Sequence, residues 1–200
     1  MNQTITYLDP TAQPAAAQDA YTPRLDIGTS PRIALFPNLF TDSAVFLRDL
    51  SGPLSRLVPG ATFPYFDKQF GRNMSVPVSP VLKARILAES DAVVLAYGHC
   101  GSCTAGVTHD GVALARAGKP VAILVTKRFR EEALFLARAL GLPALPFVFL
   151  PHPVAGEDAA LHRALAEAIA PWVLAALTEG TSRDASEILE ADGPGLAVVA

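Results

Sequence analysis

Cysteine and charge are both scarce in this chain. Only two of its 200 residues are cysteine, and 18% are charged, with a net charge of −3. Two cysteines cannot build the disulfide framework of a small secreted domain, so we expect a reducing, cytoplasmic setting. The slightly acidic balance, with a sequence pI of about 5.8, gives no sign of the clustered lysine and arginine that nucleic acids or anionic membranes require.

Long uninterrupted apolar runs are also missing, although half of the residues are hydrophobic. No run approaches the roughly 18 residues that cross a bilayer. The N-terminus has neither the basic start nor the apolar stretch of a secretory signal. We therefore expect no membrane partner. A chain of this length and hydrophobic content can bury a sizeable core, and one main domain is expected.

Short apolar runs and helical patterns alternate along the middle of the chain. The runs predict five strands, at residues 32–38, 61–66, 91–97, 121–126 and 147–150. Such alternation predicts a parallel sheet with helices on both faces, and strands buried on both sides are apolar throughout rather than alternating. The sequence therefore predicts an α/β three-layer sandwich with a five-stranded parallel sheet of flavodoxin-like order 2-1-3-4-5.

Two segments fall outside this alternation. Residues 1–30 are rich in Pro, Ala, Gln and Thr and are predicted to form an extended N-terminal arm over the surface or towards a partner subunit. Residues 31–179 are predicted to form the single α/β domain, and residues 180–200 a peripheral C-terminal tail.

Both cysteines lie in the segment Cys100-Gly101-Ser102-Cys103, between the third predicted strand and the next helix. In open α/β sheets, ligands bind beyond the carboxyl ends of the strands, where the strand order reverses, and the predicted order puts this segment there. Unpaired N–H groups in the first turn of the helix would stabilise a thiolate. Gly101 and Ser102 would offer N–H and hydroxyl donors to a substrate.

Several interpretations of the cysteine pair remain open. Two small buried residues are the plainest, but the position after a strand disfavours it. A metal site lacks a second cysteine pair and a His-x-x-x-His spacing, so no metal is predicted. Thiol chemistry is favoured, with Cys100 as nucleophile and Cys103 as resolving thiol. A non-redox lyase or hydrolase would use Cys100 with His99 or His109 as base.

Other polar residues are expected to bind the substrate because they follow strands or lie in nearby loops. These candidates are Asn38, Lys68, His99, Gly101, Ser102, Thr104, His109, Thr126 and His152. Helical geometry turns His109 away from the sheet, so it reaches the site only if the helix is irregular or a subunit interface passes there. His162 is expected on the exposed face of the last helix.

The segment with the two cysteines, together with several others in the chain, resembles the UGSC family of selenoproteins and their cysteine homologues. The match includes "LDPTA", "DAVVLAYGHCGSCTAGVTHDGVALARAGKPVAILVT" and "RALGLPALPFVFLPHP", and covers most of the chain. The family motif is Sec-Gly-Ser-Cys, so Cys100 stands at the selenocysteine position. More distantly, the same block resembles the selenocysteine segment of the glycine/sarcosine/betaine reductase selenoprotein B subunit, with the motif Sec-x-x-Cys-x-x-Cys.

The resemblance implies a strongly nucleophilic atom at Cys100 and a resolving thiol at Cys103, in reductive cleavage or thiol redox chemistry on a small polar molecule. Such an oxidoreductase would need an external reductant of the thioredoxin or glutathione type and no tightly bound cofactor. Two departures stand out. The third cysteine of the reductase motif falls at Gly106, and His99 replaces an expected acidic residue. A non-catalytic subunit is therefore an alternative, and a homo-oligomer or pairing with a related subunit is expected.

Overall fold

The computed structural model describes residues 17–38, 40, 42–68 and 76–185. The segment "LDPTA" and most of the predicted tail lie outside these residues. The described strands form one parallel sheet in the order β1-β2-β3-β4-β5, with β1 at Ile33–Pro37, β2 at Ala92–Gly98, β3 at Val121–Thr126, β4 at Phe147–Leu150 and β5 at Arg183–Asp184. The α-helices are α1 at Ser43–Leu57, α2 at Pro80–Glu89, α3 at Gly101–Ala115, α4 at Arg130–Ala139 and α5 at Ala159–Glu179, and a 3₁₀ turn at Lys127–Phe129 precedes α4.

Helices cover both faces of the sheet. On one face α1 and α5 pack together over a core that includes Val94 of β2. On the other face α2, α3 and α4 cover a second core, which includes the neighbouring Val93 and Leu95. Successive strand side chains point to opposite faces, so both cores require a fully apolar strand. The predicted α/β three-layer sandwich with a parallel sheet is confirmed.

The exact predicted strand order is not confirmed. The second predicted strand, residues 61–66, makes only two isolated bridges with β1, although Thr62 O and Pro64 O accept the N–H groups of Ile33 and Leu35 at 2.8 and 2.9 Å. Pro64 has no N–H, which prevents a regular ladder here. The fifth strand is instead β5, from the segment predicted as a tail, and it pairs with β4.

The described part of the predicted N-terminal arm packs on its own chain. Asp19 forms an ion pair with Arg116 just after α3, at 2.6 Å. The Tyr21 hydroxyl accepts the N–H of Val121 at 3.0 Å, at the start of β3. These contacts hold residues 19–21 at the amino-terminal edge of the sheet, opposite the edge where ligands bind in such folds.

The helix α5 is the one described helix that is long and apolar enough to cross a membrane. Its best window has a mean hydropathy of 1.3, and 44% of that window is buried inside the protein. The buried side chains, such as Leu165, Ile169 and Val173, belong to the core beneath α1 and α5. The apolar composition of α5 is therefore that of a helix packed on a sheet.

The close approach of α3 to β3 depends on Gly111. A Cβ at this position would lie 2.2 Å from Ile123 Cδ1 and 3.1 Å from Ile123 Cγ1. We expect Gly111→Ala to lower the free energy of unfolding by about 1–3 kcal/mol, because the core must shift to admit the methyl group. Urea unfolding measures this loss.

The matched variant is Ile123→Val, which removes the nearest methyl group. The double variant should recover part of the stability lost by Gly111→Ala, with a coupling of about 0.5 kcal/mol or more. Additive effects of the two substitutions would contradict this packing argument.

Candidate functional site

The carboxyl ends of four strands bring predicted site residues to one edge of the sheet. Thr126 Oγ1 at the end of β3 donates to the carbonyl of Gly98 at 3.2 Å, and lies 3.1 Å from Nδ1 of His152, which follows β4. The ring of His152 lies on that of His99, with centroids 4.6 Å apart. The expectation that these loops meet is therefore confirmed for the side chains of Thr126, His99 and His152.

Asn38 joins this edge through hydrogen bonds of its side-chain amide. Its side chain is buried, its Nδ2 donates to the carbonyl of Tyr97 at 2.8 Å, and its Oδ1 accepts the N–H of Phe40 at 3.2 Å. The Nδ2 bond ties the end of β1 to the end of β2, and the Oδ1 bond holds the loop that follows β1. Asn38 therefore belongs to the frame of the site, and its predicted contact with substrate stays a prediction.

The chain leaves β1 and β2 in opposite directions. After β1 it enters α1 on one face of the sheet, and after β2 it enters α3 on the other face. Neighbouring parallel strands whose connections separate in this way leave a crevice between their carboxyl ends. His99 and Cys100 lie at this point.

The sulfur turn, residues 100–104, begins α3. Cys100 is the N-cap, with extended backbone angles of −141° and 171°, and its Sγ accepts the N–H of Cys103 at 3.2 Å. Cys100 and Cys103 form a disulfide, and their Cα atoms are 5.1 Å apart, within the usual range for such a bond. Cys103 is fully buried, whereas Cys100 is partly exposed and Ser102 is exposed. Only one sulfur of the pair can therefore be reached from solvent.

Thr104 holds the sulfur turn in place. Its N–H and its hydroxyl both donate to the carbonyl of Cys100, at 2.9 and 2.8 Å, and the side chain is fully buried. Gly98 makes this possible, because a Cβ there would lie 2.8 Å from Thr104 Oγ1. Thr104 was predicted to bind substrate, but its hydroxyl donates to a carbonyl within the sulfur turn. The hydroxyl of Ser102, by contrast, lies 3.4 Å from Cys100 Sγ and faces solvent.

The histidine cluster lies on the α1 and α5 side of the crevice; its members are Phe40, Asp42, Tyr97, His99 and His152. Burial, and then the neighbouring His152, lower the pKa of His99. Burial, and then two cationic residues after β3, Arg128 and Lys127, lower the pKa of His152. Both imidazoles are therefore neutral near pH 7.

The hydrogen bonds of the two histidines fix their tautomers. The N–H of Val154 donates to His99 Nε2 at 3.1 Å, so that nitrogen carries a lone pair and the proton of His99 is on Nδ1. The Thr126 hydroxyl gives its proton to Gly98 O, so it accepts from His152 Nδ1, which leaves Nε2 of His152 as an acceptor with no hydrogen-bond donor among the described residues. His99 is therefore occupied as a base, while His152 can receive a hydrogen bond or a proton.

Asp42 and Tyr97 were not predicted as site residues. Asp42 is the N-cap of α1, but its carboxylate accepts the Tyr97 hydroxyl and the N–H of Gly156, the latter at 2.8 Å. Burial, and then the hydrogen bond to Asp42, raise the pKa of Tyr97. The only sequence signal for Asp42 was its place at the predicted start of a helix, where an Asp is an ordinary cap.

His162 lies beside this group and not on an exposed helix face. Its ring is buried, its Nε2 is 2.8 Å from the carbonyl of Val154 and 3.8 Å from Oδ2 of Asp42. The prediction for His162 is therefore wrong, because α1 and the segment after β4 cover that side of α5.

A shallow pocket opens beside the histidine cluster. It has a volume of about 350 Å³ and is lined by Phe40, Asp42, His99, Ala155 and Gly156. This volume suits a small molecule. A cavity of similar size, about 330 Å³, is lined by Lys68 and residues around the start of α2, and no described residue of the sulfur turn or the histidine cluster lines it.

Lys68 and His109 are not brought to the sulfur turn. Lys68 Nζ binds Asp110 at 2.6 Å in a buried ion pair, and Asp110 is roughly 15 Å along α3 from Cys100 at 1.5 Å per residue. Burial raises the pKa of Asp110, and Lys68 opposes that shift. His109 is half-buried on the same part of α3.

Glu132, in the first turn of α4, was missed by the sequence reasoning. Its carboxylate oxygens lie 3.6 and 3.7 Å from the point that a Cβ on Gly101 would occupy, so the carboxylate covers the first of the two residues between the cysteines. Burial raises the pKa of Glu132. No local pattern marks this residue, because only the packing of α4 beside α3 brings it there.

Comparison with known protein families gives a match over most of the chain. The model of the UGSC family matches residues 6–179 of the chain, which includes both cysteines, the histidine cluster and Glu132. The comparison with curated proteins gives no match.

The lowered pKa values of His99 and His152 predict a stability that falls in acid. The protonated forms are disfavoured in the folded state, so the folded protein binds fewer protons than the unfolded chain below the unfolded pKa of about 6.5. Stability should therefore be full above that pH and be lost as the pH falls below it, through the lowered pKa values of the two histidines.

Urea unfolding across this range measures the effect. His99→Gln and His152→Gln should each make the pH dependence shallower, because each removes one titrating ring. Phe40→Leu is the matched control, since it disturbs the same ring stack and removes no titrating group. Equal pH dependence in all four proteins would contradict the assignment.

Proposed function

This chain belongs to the UGSC family, and from that premise we propose that it is a thiol-dependent oxidoreductase acting on a small polar molecule. In this proposal Cys100 is the nucleophile and Cys103 is the resolving thiol. The unequal exposure of the two bonded sulfurs supports it most directly, because Cys100 is partly exposed and Cys103 is fully buried. A substrate can then reach one sulfur, and the other can act only within the protein.

The position of Cys100 supports its role as the attacking group. As the N-cap of α3, its sulfur accepts a backbone N–H and lies at the positive end of the helix. Both features stabilise a thiolate and lower the pKa of a cysteine in the reduced protein. The thiolate is the nucleophilic form, so this turn favours attack at neutral pH.

The reaction then proceeds in two steps. The Cys100 thiolate attacks an electrophilic carbon or heteroatom of the substrate and displaces a leaving group, which forms a covalent adduct. The Cys103 thiolate next attacks Cys100 Sγ, the Cys100–Cys103 disulfide forms, and the substrate fragment leaves with the electron pair and takes a proton. The two cysteines are oxidised and the fragment is reduced by two electrons. An external thiol of the thioredoxin or glutathione type then reduces the disulfide.

Two polar groups near the sulfur turn are suited to hold the substrate. Nε2 of His152 is an acceptor with no hydrogen-bond donor among the described residues, and the Ser102 hydroxyl is exposed 3.4 Å from Cys100 Sγ. We further propose a cytoplasmic location, where external thiol reductants maintain the dithiol form. The proposal includes no tightly bound cofactor, and it includes assembly as a homo-oligomer or with a related subunit.

The non-redox alternative, a lyase or hydrolase with a histidine base, has weaker support. Nε2 of His99 is occupied by the N–H of Val154. His109 lies two helical turns beyond Cys100 on α3. A dependence of activity on dithiothreitol separates the two chemistries, because a lyase or hydrolase needs no reductant.

Changing the resolving residue tests the proposal. Cys103→Ser should stop turnover after one cycle and leave an adduct on Cys100, because no internal thiol can release it. Intact-mass analysis after incubation with host metabolite extract detects the adduct and gives its mass.

Two controls accompany this variant. Cys100→Ser should carry no adduct, since the attacking sulfur is gone. The reduced wild-type protein should show a low-pKa thiol in an iodoacetamide titration. Full multiple-turnover activity of Cys103→Ser would disprove the resolving role, and the lack of both a low-pKa thiol and any adduct would favour a non-catalytic subunit.

A further inference from the structure

The carboxylate of Glu132 is held against the sulfur turn by the packing of α4 on α3. Its two oxygens lie within 3.7 Å of the Cβ position of Gly101, the residue that directly follows Cys100. Glu132 makes no hydrogen bond or ion pair with the described residues, unlike its helix neighbour Arg130, which binds Asp184. A half-buried carboxylate that has no hydrogen-bond partner loses part of its hydration without a compensating interaction. A contribution to the stability of the fold therefore does not explain the position of Glu132.

The proposed reaction of Cys103 requires a group that can accept and return a proton. Cys103 is fully buried, and burial disfavours the charged form of a thiol, so the proposed reaction starts from a protonated Cys103. It must lose that proton before it can attack the adduct on Cys100. When the disulfide is reduced, Cys103 leaves as a thiolate and must regain a proton.

We propose that Glu132 exchanges this proton with Cys103, directly or through one water molecule, during formation and reduction of the Cys100–Cys103 disulfide. The inference rests on the proposed function. In the forward step the Glu132 carboxylate takes the proton of the Cys103 thiol, and the resulting thiolate displaces the adduct from Cys100. In the reverse step an external thiolate attacks Cys100 Sγ, Cys103 leaves, and the Glu132 carboxylic acid returns the proton.

The charged groups around Glu132 are consistent with this role. Burial raises the pKa of Glu132, which brings it closer to the operating pH of a proton-exchanging group. The charged residues next to Glu132 along the chain are Lys127, Arg128, Arg130 and Glu131, of which Arg130 is paired with Asp184. On α3, Asp110 is paired with Lys68, and Arg116, just after the helix, with Asp19. Among the described residues outside the turn itself, the oxygens of Glu132 are the atoms that lie within 4 Å of the Cβ position of Gly101.

An aromatic disulfide, dithiobisnitrobenzoate, separates the two thiol steps in the reduced, full-length protein. Attack by Cys100 releases the first coloured thiolate, and attack by Cys103 on the mixed disulfide releases the second. Glu132→Gln should slow the second release by about tenfold or more at pH 7. Its rate should then rise with hydroxide concentration, whereas the first release should be no slower than in the wild type.

Two variants on the same turn are controls. Glu131→Gln removes an exposed neighbouring carboxylate and should leave both releases unchanged. Glu132→Asp keeps a titrating carboxylate and should restore the wild-type form of the pH profile at a reduced rate. It also serves as the test if Glu132→Gln melts at a much lower temperature.

The outcomes distinguish this inference from the proposed function. A second release in Glu132→Gln with the wild-type rate and pH profile would overturn the proton-exchange role and leave the roles of the cysteines intact. The same holds if Glu132→Asp is as slow and as hydroxide-dependent as Glu132→Gln. Release of one equivalent by the wild-type protein would contradict the resolving role of Cys103, and with it both proposals.

Discussion

The extended backbone of Cys100 between β2 and α3 is the constraint on which the site depends. Because this residue caps the helix, its carbonyl receives both donors of Thr104 while its sulfur receives the N–H of Cys103. The same geometry that begins α3 therefore aims the sulfur at the helix N-terminus. Gly98 contributes by having no side chain, since Thr104 occupies the space that a Cβ would need. The surroundings of the Cys100 sulfur are thus set by the strand-to-helix connection itself.

The chain turns to opposite faces of the sheet after β1 and after β2, and this separates the histidine cluster from the sulfur turn at one edge of the sheet. His99 and Cys100 are consecutive, yet the His99 ring packs with Phe40 and His152 on the α1 side, and the sulfur turn packs beneath α4 on the other. A histidine that accepts a backbone N–H and stacks on aromatic rings is held neutral. In the proposed reaction the helix N–H groups, and not an imidazole, would stabilise the thiolate. The histidine cluster would then line the substrate site, and Nε2 of His152 is the atom proposed to bind the substrate there.

Strand ends and turn chemistry were enough to predict the position of the sulfur turn, Thr126 and His152, since parallel strands end at a common edge. Contacts between distant elements were not predictable. Tyr97 belongs to an apolar run, but a register shift in the pairing of β2 with β3 places it in the same core as Ala96, where it meets Asp42. Lys68 was expected at the site because the sequence puts it in a polar loop, but it forms a buried ion pair with Asp110 of α3. Burial of an ion pair has no local sequence pattern.

In the proposed reaction, the unequal burial of the two residues sets the order of events. Cys103 is fully buried and Cys100 is partly exposed, so an adduct or a mixed disulfide would form on Cys100. The helix N-terminus favours the thiolate of Cys100, whereas burial disfavours the thiolate of Cys103. Under this proposal, control of the reaction passes from access to the first sulfur to proton loss from the second, and the half-buried carboxylate over Gly101 is the group proposed to accept that proton.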